Sequence, residues 1–281
     1  MGIRGRIKRE IRRVNRWLHP LTQTQLLDAL RAFGPFPTER LMVHSSLSAC
    51  GYIRGGPATV IEVLRTWIGE RDLVMPTHTY CYPDKDGRVP QFNLAVTPSL
   101  IGTITNAFWR QPNVLRSLHP THSLACLGAG AADLCAGHES CETPCGRGTP
   151  YEKLVARDAS VLMFGVTLNT YTLFHTAADA AQVPYLYQQN ACHLEAVDRT
   201  GQIRPIIMRR HDLSVPRRYA QMDGWLEERG LLLRCPLGLG ELLFIPHAGI
   251  AHRQLVDALH IDPLLLVAPE ARAAVAARVG L

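Results

Sequence analysis

No apolar run in this chain approaches the ~18 residues that a membrane-spanning helix requires, so no transmembrane segment is expected. Low-complexity stretches are also missing, and the 22 glycines and 19 prolines are scattered rather than gathered into a linker. That excludes a chain of loosely tethered bodies. The expectation is one domain over residues 21–281 behind a short extension, residues 1–20, since 281 residues can bury a full core. Charged residues make up only 19% against 47% hydrophobic, which is ordinary for a globular protein and argues against disorder. The beginning of the chain lacks the apolar stretch and small-residue cleavage site of a secretory signal. A cytoplasmic location follows as an expectation, and the eight cysteines then read as reduced thiols and not as a disulfide frame. There is no zinc-finger spacing, no aromatic-interleaved basic strand and no helix-turn-helix signal, so nucleic acid is not an expected partner.

What is present begins with an uneven charge of +6. Arg4, Arg6, Lys8, Arg9, Arg12, Arg13 and Arg16 alternate with Ile3, Ile7, Ile11, Val14 and Trp17, a pattern that predicts a basic helical extension with one apolar face. Beyond it, Thr22 to Phe33 reads as a helix closed by Gly34-Pro35. The apolar run Leu41–His44 stops at two serines and predicts a buried strand feeding a loop. An amphipathic helix from Ala58 to Ile68, a strand at Leu73–Pro76, a helix from Leu100 to Trp109, a strand at Ser123–Leu127, a helix over 151–156 and a strand over 160–166 follow. Segments 192–198 and 202–208 flank Asp198-Arg199-Thr200-Gly201 and read as a hairpin. A loop at Cys235–Leu239 and a closing helix near Ile250–Ala258 complete the chain. The fold class is therefore α/β, a sheet of alternating strands and helices covered on both faces, with an inserted hairpin.

Two metal readings are available. Cys135, His138, Cys141 and Cys145 are the right types for tetrahedral zinc, but their gaps are crowded and no distant pair braces them. His119 and His122, with His78, His175, Asp84 and Asp212 elsewhere, could build a metal hydrolase site. Pro120 between the pair disfavours the helix that would aim both at one ion. No metal is expected.

Several segments in order resemble the aminoglycoside 3-N-acetyltransferase family. They are Val43-His44-Ser45-Ser46-Leu47-Ser48 with Gly55-Gly56, Leu73-Val74-Met75-Pro76-Thr77-His78-Thr79, Thr97-Pro98-Ser99-Leu100-Ile101-Gly102, Arg116 through Ser123, Gly148-Thr149-Pro150-Tyr151, and Leu173-Phe174-His175-Thr176-Ala177-Ala178-Asp179. The resemblance implies an acyl-CoA-dependent N-acyltransferase using acetyl-CoA as cosubstrate, a small-molecule amine as acceptor, and a homodimer as one option for assembly. It implies that His175 takes the proton from the attacking amine, a task suited to an imidazole of ordinary pKa ~6.5. His44, Ser45, Ser46, Thr77, Ser99 and Arg116 are expected along the coenzyme A arm, with backbone amides near Ser45 receiving the oxyanion. His78, Tyr80 and His119 are expected on the acceptor side, while His122 packs.

Relatives orient the base with carboxylates. Many carry glutamate three residues after the histidine, where this chain has Ala178, so Asp179 or Asp212 is expected to serve, with His211 as the alternative at the second position. A catalytically impaired relative that binds coenzyme A or a protein partner is the competing reading. The basic balance, with Arg88, Arg147, Arg209 and Arg210, fits an anionic or neutral amine better than a polycationic aminoglycoside and favours biosynthetic or housekeeping N-acylation, with an aminoglycoside or a natural-product intermediate both open as acceptor.

Overall fold

The computed structural model describes residues 20–83 and 86–281. The basic extension and Asp84 lie outside the described residues. At the centre, β1 (Arg40–Ser45) pairs in parallel with β2 (Asp72–Pro76) on one side and β6 (Ser160–Phe164) on the other. Antiparallel pairs extend both flanks, giving a seven-stranded order β4-β5-β2-β1-β6-β10-β9, where β4 is Leu115–Arg116, β5 Leu124–Leu127, β9 Leu233–Leu237 and β10 Gly240–Ile245.

Side chains two apart share a face of a strand, and this period divides the core in two. Leu41 and Val43 pack with Leu73, Met75, Leu162 and Phe164 against α1 (Gln23–Arg31), α2 (Gly56–Ile68) and α3 (Thr103–Phe108). Met42, Val74, Val161 and Met163 face the other way, toward α4 (Ala131–Cys135), α5 (Pro150–Ala156), α6 (Leu173–Ala180) and α8 (Ala248–Ile261), α7 (Met222–Glu227) and α9 (Arg272–Val279) completing the helices. Both faces are covered, as expected. Local signals explain the helix ends: Thr22 and Gln25 form a reciprocal capping box at α1, and Pro57 follows the left-handed Gly55 at α2. None of the described helices is long and apolar enough to cross a membrane.

The expected hairpin is β7 (Tyr187–Val197) and β8 (Ile203–His211), longer than anticipated and joined by β3 (Phe92–Asn93) in a separate three-stranded sheet. Asp198 organises its turn, accepting bonds from the amides of Thr200 and Gln202 at 2.9 and 3.0 Å, with Gly201 at φ 82°.

Two expectations of the fold change, and Arg116 takes a buried place. The helix read from Leu100 starts only at Thr103, because Gly102 sits at φ 131° and breaks the run. The stretch read as a loop at 235–239 is the heart of the β9–β10 hairpin, its alternation masked by Pro236, Gly238 and Gly240. Arg116, expected to meet the coenzyme A anion, is 5% exposed inside the β2–β5 flank. Its Nε donates to the hydroxyls of Thr77 and Ser123, its Nη1 to the Thr97 carbonyl and its Nη2 to the Thr77 carbonyl, at 2.7–3.1 Å. Trp109 and Phe92 lie under the guanidinium at 4.6 and 5.0 Å. Burial lowers its pKa to about 10, so it remains charged at neutral pH. Replacing it with methionine would strand several buried acceptors at once, and Arg116→Met is expected to lower unfolding stability by about 3 kcal/mol or more in urea titration. A coenzyme A contact would instead leave stability of the apoprotein nearly unchanged.

Candidate active site

Parallel β1, β2 and β6 deliver their C-terminal ends to one edge, where open α/β sheets bind ligands. The end of β1 carries His44-Ser45 to that edge, the loops leaving it carry Thr77-His78 and the segment Val166 to Thr172, and together they enclose a cleft of about 270 Å³. Five imidazoles line it: His44, His78, His122, His175 and His211. Among the described lining residues there is no Asp, Glu, Lys or Arg.

His44 Nε2 and Ser45 Oγ are buried on this wall without a hydrogen-bond partner, and so is His211 Nε2. Such atoms cost stability unless a ligand meets them. Burial drives the His44 pKa down to about 3. Ser46 does not line the cleft, and its amide donates to the Phe164 carbonyl at 2.9 Å, so that amide is not available to an oxyanion.

His78 is fully paired. Its Nε2 lies 2.9 Å from the Tyr151 hydroxyl and its Nδ1 lies 3.1 Å from the Tyr80 hydroxyl. Tyr151 gives its one proton to the His122 carbonyl at 3.0 Å. Its oxygen therefore accepts from Nε2–H, which makes His78 Nδ1 an acceptor for Tyr80. Burial, then the neighbouring imidazoles, holds the His78 pKa down at about 3. Tyr80 stands at the rim, 46% exposed and in a left-handed backbone conformation at φ 48°.

The remaining cofactor-side expectations fall elsewhere. Thr77 is 0% exposed, with its hydroxyl 2.5 Å from that of Ser123 and within reach of Arg116. Ser99 is buried by Asn106, whose amide group bonds the Ser99 N–H and carbonyl at 3.0 and 2.6 Å. Of His119 and His122, the second lines the cleft and the first does not. His119 is 0% exposed, its Nδ1 accepting the amides of Thr121 and His122 and its ring stacked on His138 at 4.2 Å. His122, expected to pack, faces the cleft 4.6 Å from the His78 ring. The tight turn through Pro120 explains the difference: His119 caps the turn's own amides and is held inside.

Among the described residues neither metal reading assembles, and Asp84 lies outside them. Both nitrogens of His138 are engaged, Nδ1 with Ser117 at 2.9 Å and Nε2 with the Pro144 carbonyl at 3.1 Å, and the Cys141 thiol turns to the Gly137 carbonyl. Among the described residues no group of three or more His, Cys, Asp or Glu is placed to hold a metal ion.

His175 sits in the first turn of α6, half-buried and lining the cleft. Burial, then Arg217 and His122, pushes its pKa well below the ordinary value, and the positive end of the helix works in the same direction. Its Nδ1 lies 3.4 Å from the Tyr219 hydroxyl. The His211 ring stacks on it at 4.0 Å and 18°, and Tyr187 stacks on the far face of His211 at 5.3 Å and 15°.

The two carboxylates expected beside the base are committed elsewhere. Asp179 accepts the Tyr187 hydroxyl at 2.5 Å and the Thr143 hydroxyl at 3.5 Å, and it lies so close to Gly146 that a Cβ there would collide with the carboxylate. Asp212 accepts the Ser214 amide and hydroxyl and pairs with Arg278 at 3.1 Å. Ala178 is buried in the core beneath α6. Of the downstream segment, His211 is the residue that reaches His175. Tyr219 and Tyr171, also on the cleft wall, carried no sequence signal beyond being aromatic.

Residues 42–254 match the family described as aminoglycoside 3-N-acetyltransferase. The chain is 36% identical over 182 residues to aminoglycoside N(3)-acetyltransferase VII of Streptomyces paromomycinus, covering 59% of this chain and 62% of that protein. It is 29% identical over 248 residues to aminoglycoside N(3)-acetyltransferase IV of Salmonella sp, covering 88% and 90%. The first of these matches thus spans less than two thirds of the relative. Among solved structures, a histidine-to-alanine mutant of aminoglycoside acetyltransferase AAC(3)-IVa in complex with apramycin superposes with a TM-score of 0.74 at 27% identity, over 90% of this chain and 97% of that one. A binary complex of AAC-IIIb with CoASH gives 0.74 at 25% identity, over 86% and 97%. With about three quarters of its length matched and the same architecture throughout, the chain belongs to the aminoglycoside 3-N-acetyltransferase family.

Proposed function

We propose that the protein is an acyl-CoA-dependent N-acyltransferase that moves an acyl group, acetyl by default, directly onto an amine of a small molecule. One observation carries the reading: a neutral imidazole, His175, shares a cleft at the sheet's carboxyl edge with three buried polar atoms that have no protein partner. The solved complex of a relative with CoASH supports acetyl-CoA as donor, and the names of the relatives support an aminoglycoside amine as acceptor.

Acyl-CoA supplies an activated thioester. His175 takes a proton from the amine as its nitrogen bonds to the carbonyl carbon, and returns a proton to the departing thiolate as the carbon–sulfur bond breaks. Charge on the carbonyl oxygen needs a fixed donor during this passage. The Ser45 hydroxyl is an unengaged donor on the wall. His78, by contrast, is locked in one tautomer by Tyr151 and Tyr80 and serves to shape the wall.

A second reading is that of a member that binds coenzyme A without turnover. It is favoured by the placement of Asp179 and Asp212 away from His175 and by Ala178. Thermal shift with coenzyme A together with thiol release over an amine panel separates the two, since both expect binding and only the first expects release.

His175→Ala is expected to lower kcat by about a hundred- to ten-thousandfold while coenzyme A affinity stays nearly unchanged. Equal activity, or equal loss of coenzyme A binding, overturns the base assignment. Ser45→Ala should reduce kcat by roughly a hundredfold if its hydroxyl meets the oxyanion; a change confined to KM for acetyl-CoA would place it on the pantetheine arm instead.

The buried imidazoles also predict acid sensitivity. His44 and His78 are held at about 3 in the folded protein, below the ordinary 6.5 of an exposed imidazole. A depressed folded pKa contributes stability that is present above the unfolded value and lost as pH falls toward the folded one. Tm should therefore decline as pH falls from about 6.5 toward about 3, and His44→Phe, if it folds, should flatten the decline.

A further inference from the structure

We propose that Tyr219 positions the base: its phenolic oxygen accepts the Nδ1–H of His175, standing where a carboxylate would orient an imidazole, and thereby leaves the Nε2 lone pair toward the acceptor amine. The proposal rests on the reading of His175 as the base. Tyr219 enters on a short 3-10 turn, Tyr219–Gln221, is 7% exposed and lines the cleft. Its ring meets that of His175 edge-on, 5.6 Å apart at 89°, and its hydroxyl lies 3.4 Å from Nδ1. The Nδ1 contact is the one hydrogen bond that His175 makes through its ring among the described residues.

The surroundings agree with a neutral partner. From β8, His211 covers one face of the ring and is itself backed by Tyr187, which restricts the imidazole to its plane. His122, from the β4–β5 turn, meets the His211 ring edge-on at 5.3 Å, and His78 from the loop after β2 lines the same cleft. Arg217, beside Tyr219, is held by the carbonyls of Asp212, Tyr185 and Leu186 and adds positive potential. On α6 itself, Asp179 is turned to Tyr187 and Thr143. A hydroxyl can accept the Nδ1 proton without supplying the formal charge that would favour imidazolium. The base then stays unprotonated at pH values where an imidazole paired with a carboxylate would be charged, so kcat/KM keeps its plateau below the ordinary imidazole range.

NMR of histidine-15N-labelled protein tests the contact, with His175→Ala locating the signal. An Nδ1–H tautomer is expected in the wild type and a mixed or Nε2–H tautomer in Tyr219→Phe. Nε2–H in the wild type overturns the proposal, and this readout needs no turnover. In kinetics, Tyr219→Phe should lower kcat by about tenfold, the scale of one lost hydrogen bond, with coenzyme A affinity unchanged. Tyr219→Glu should retain turnover and move the acid limb of kcat/KM to higher pH, a change that a packing role would not produce. A Phe variant with wild-type kcat and tautomer, or a Glu variant with the wild type's acid limb, overturns it. Should the wild type show the Nδ1–H tautomer and yet acetylate no amine, the contact is supported and the acyl-transfer reading falls.

Discussion

An imidazole under the edge of a dry sheet cannot stay charged, and five of them crowd one cleft here, so neutrality is the condition on which the site depends. Burial depresses each ring, and the rings depress one another. Neutral imidazole has one donor and one acceptor nitrogen, and each must be matched or face a ligand. Hydroxyls do the matching: Tyr151 and Tyr80 for His78, Thr121 for His122, Tyr219 for His175. A carboxylate at any of these places would favour the imidazolium and change the chemistry of the whole group.

The acids and the buried arginine are used for construction. Arg116 clamps Thr77, Ser123 and Thr97, fixing the strand end from which His78 projects. Asp179 fixes Tyr187, which backs His211, which covers His175. Asp212 ties the end of β8 to α9 through Arg278. The carboxylates therefore act on the candidate base at one remove, through the positions of uncharged rings, while Arg217 adds positive potential directly. The same arrangement explains how a family member lacking glutamate at position 178 can still present an oriented imidazole.

Much of the frame was legible in order. The apolar runs at 41–44, 73–76 and 160–164 are strands because they are too short and too evenly buried for helices, and they lead into the segments that carry the site. The Asp198–Gly201 turn announced its hairpin through residues that a tight turn requires. Illegible were β9 and β10, where Pro236 and the flanking glycines hide a strand at the sheet's edge, and the true start of α3, which depends on the backbone at Gly102.

By itself the sequence determined the alternating α/β architecture and the hairpin, since these follow from local periodicity and turn chemistry, while His175 stood out only through the family resemblance of its segment. Which groups surround that histidine was decided only by tertiary structure. Asp212 and His211 are neighbours in the chain and the strand alternation sends them opposite ways, one to Arg278 and the other onto His175. His119 and His122 were likewise sorted by a turn that buries the first and exposes the second to the cleft. A residue's type states what it can do, but its partners come from distant segments, 44 positions away for Tyr219 and His175 and 73 for Tyr151 and His78. Packing brings them together, and no local pattern encodes it.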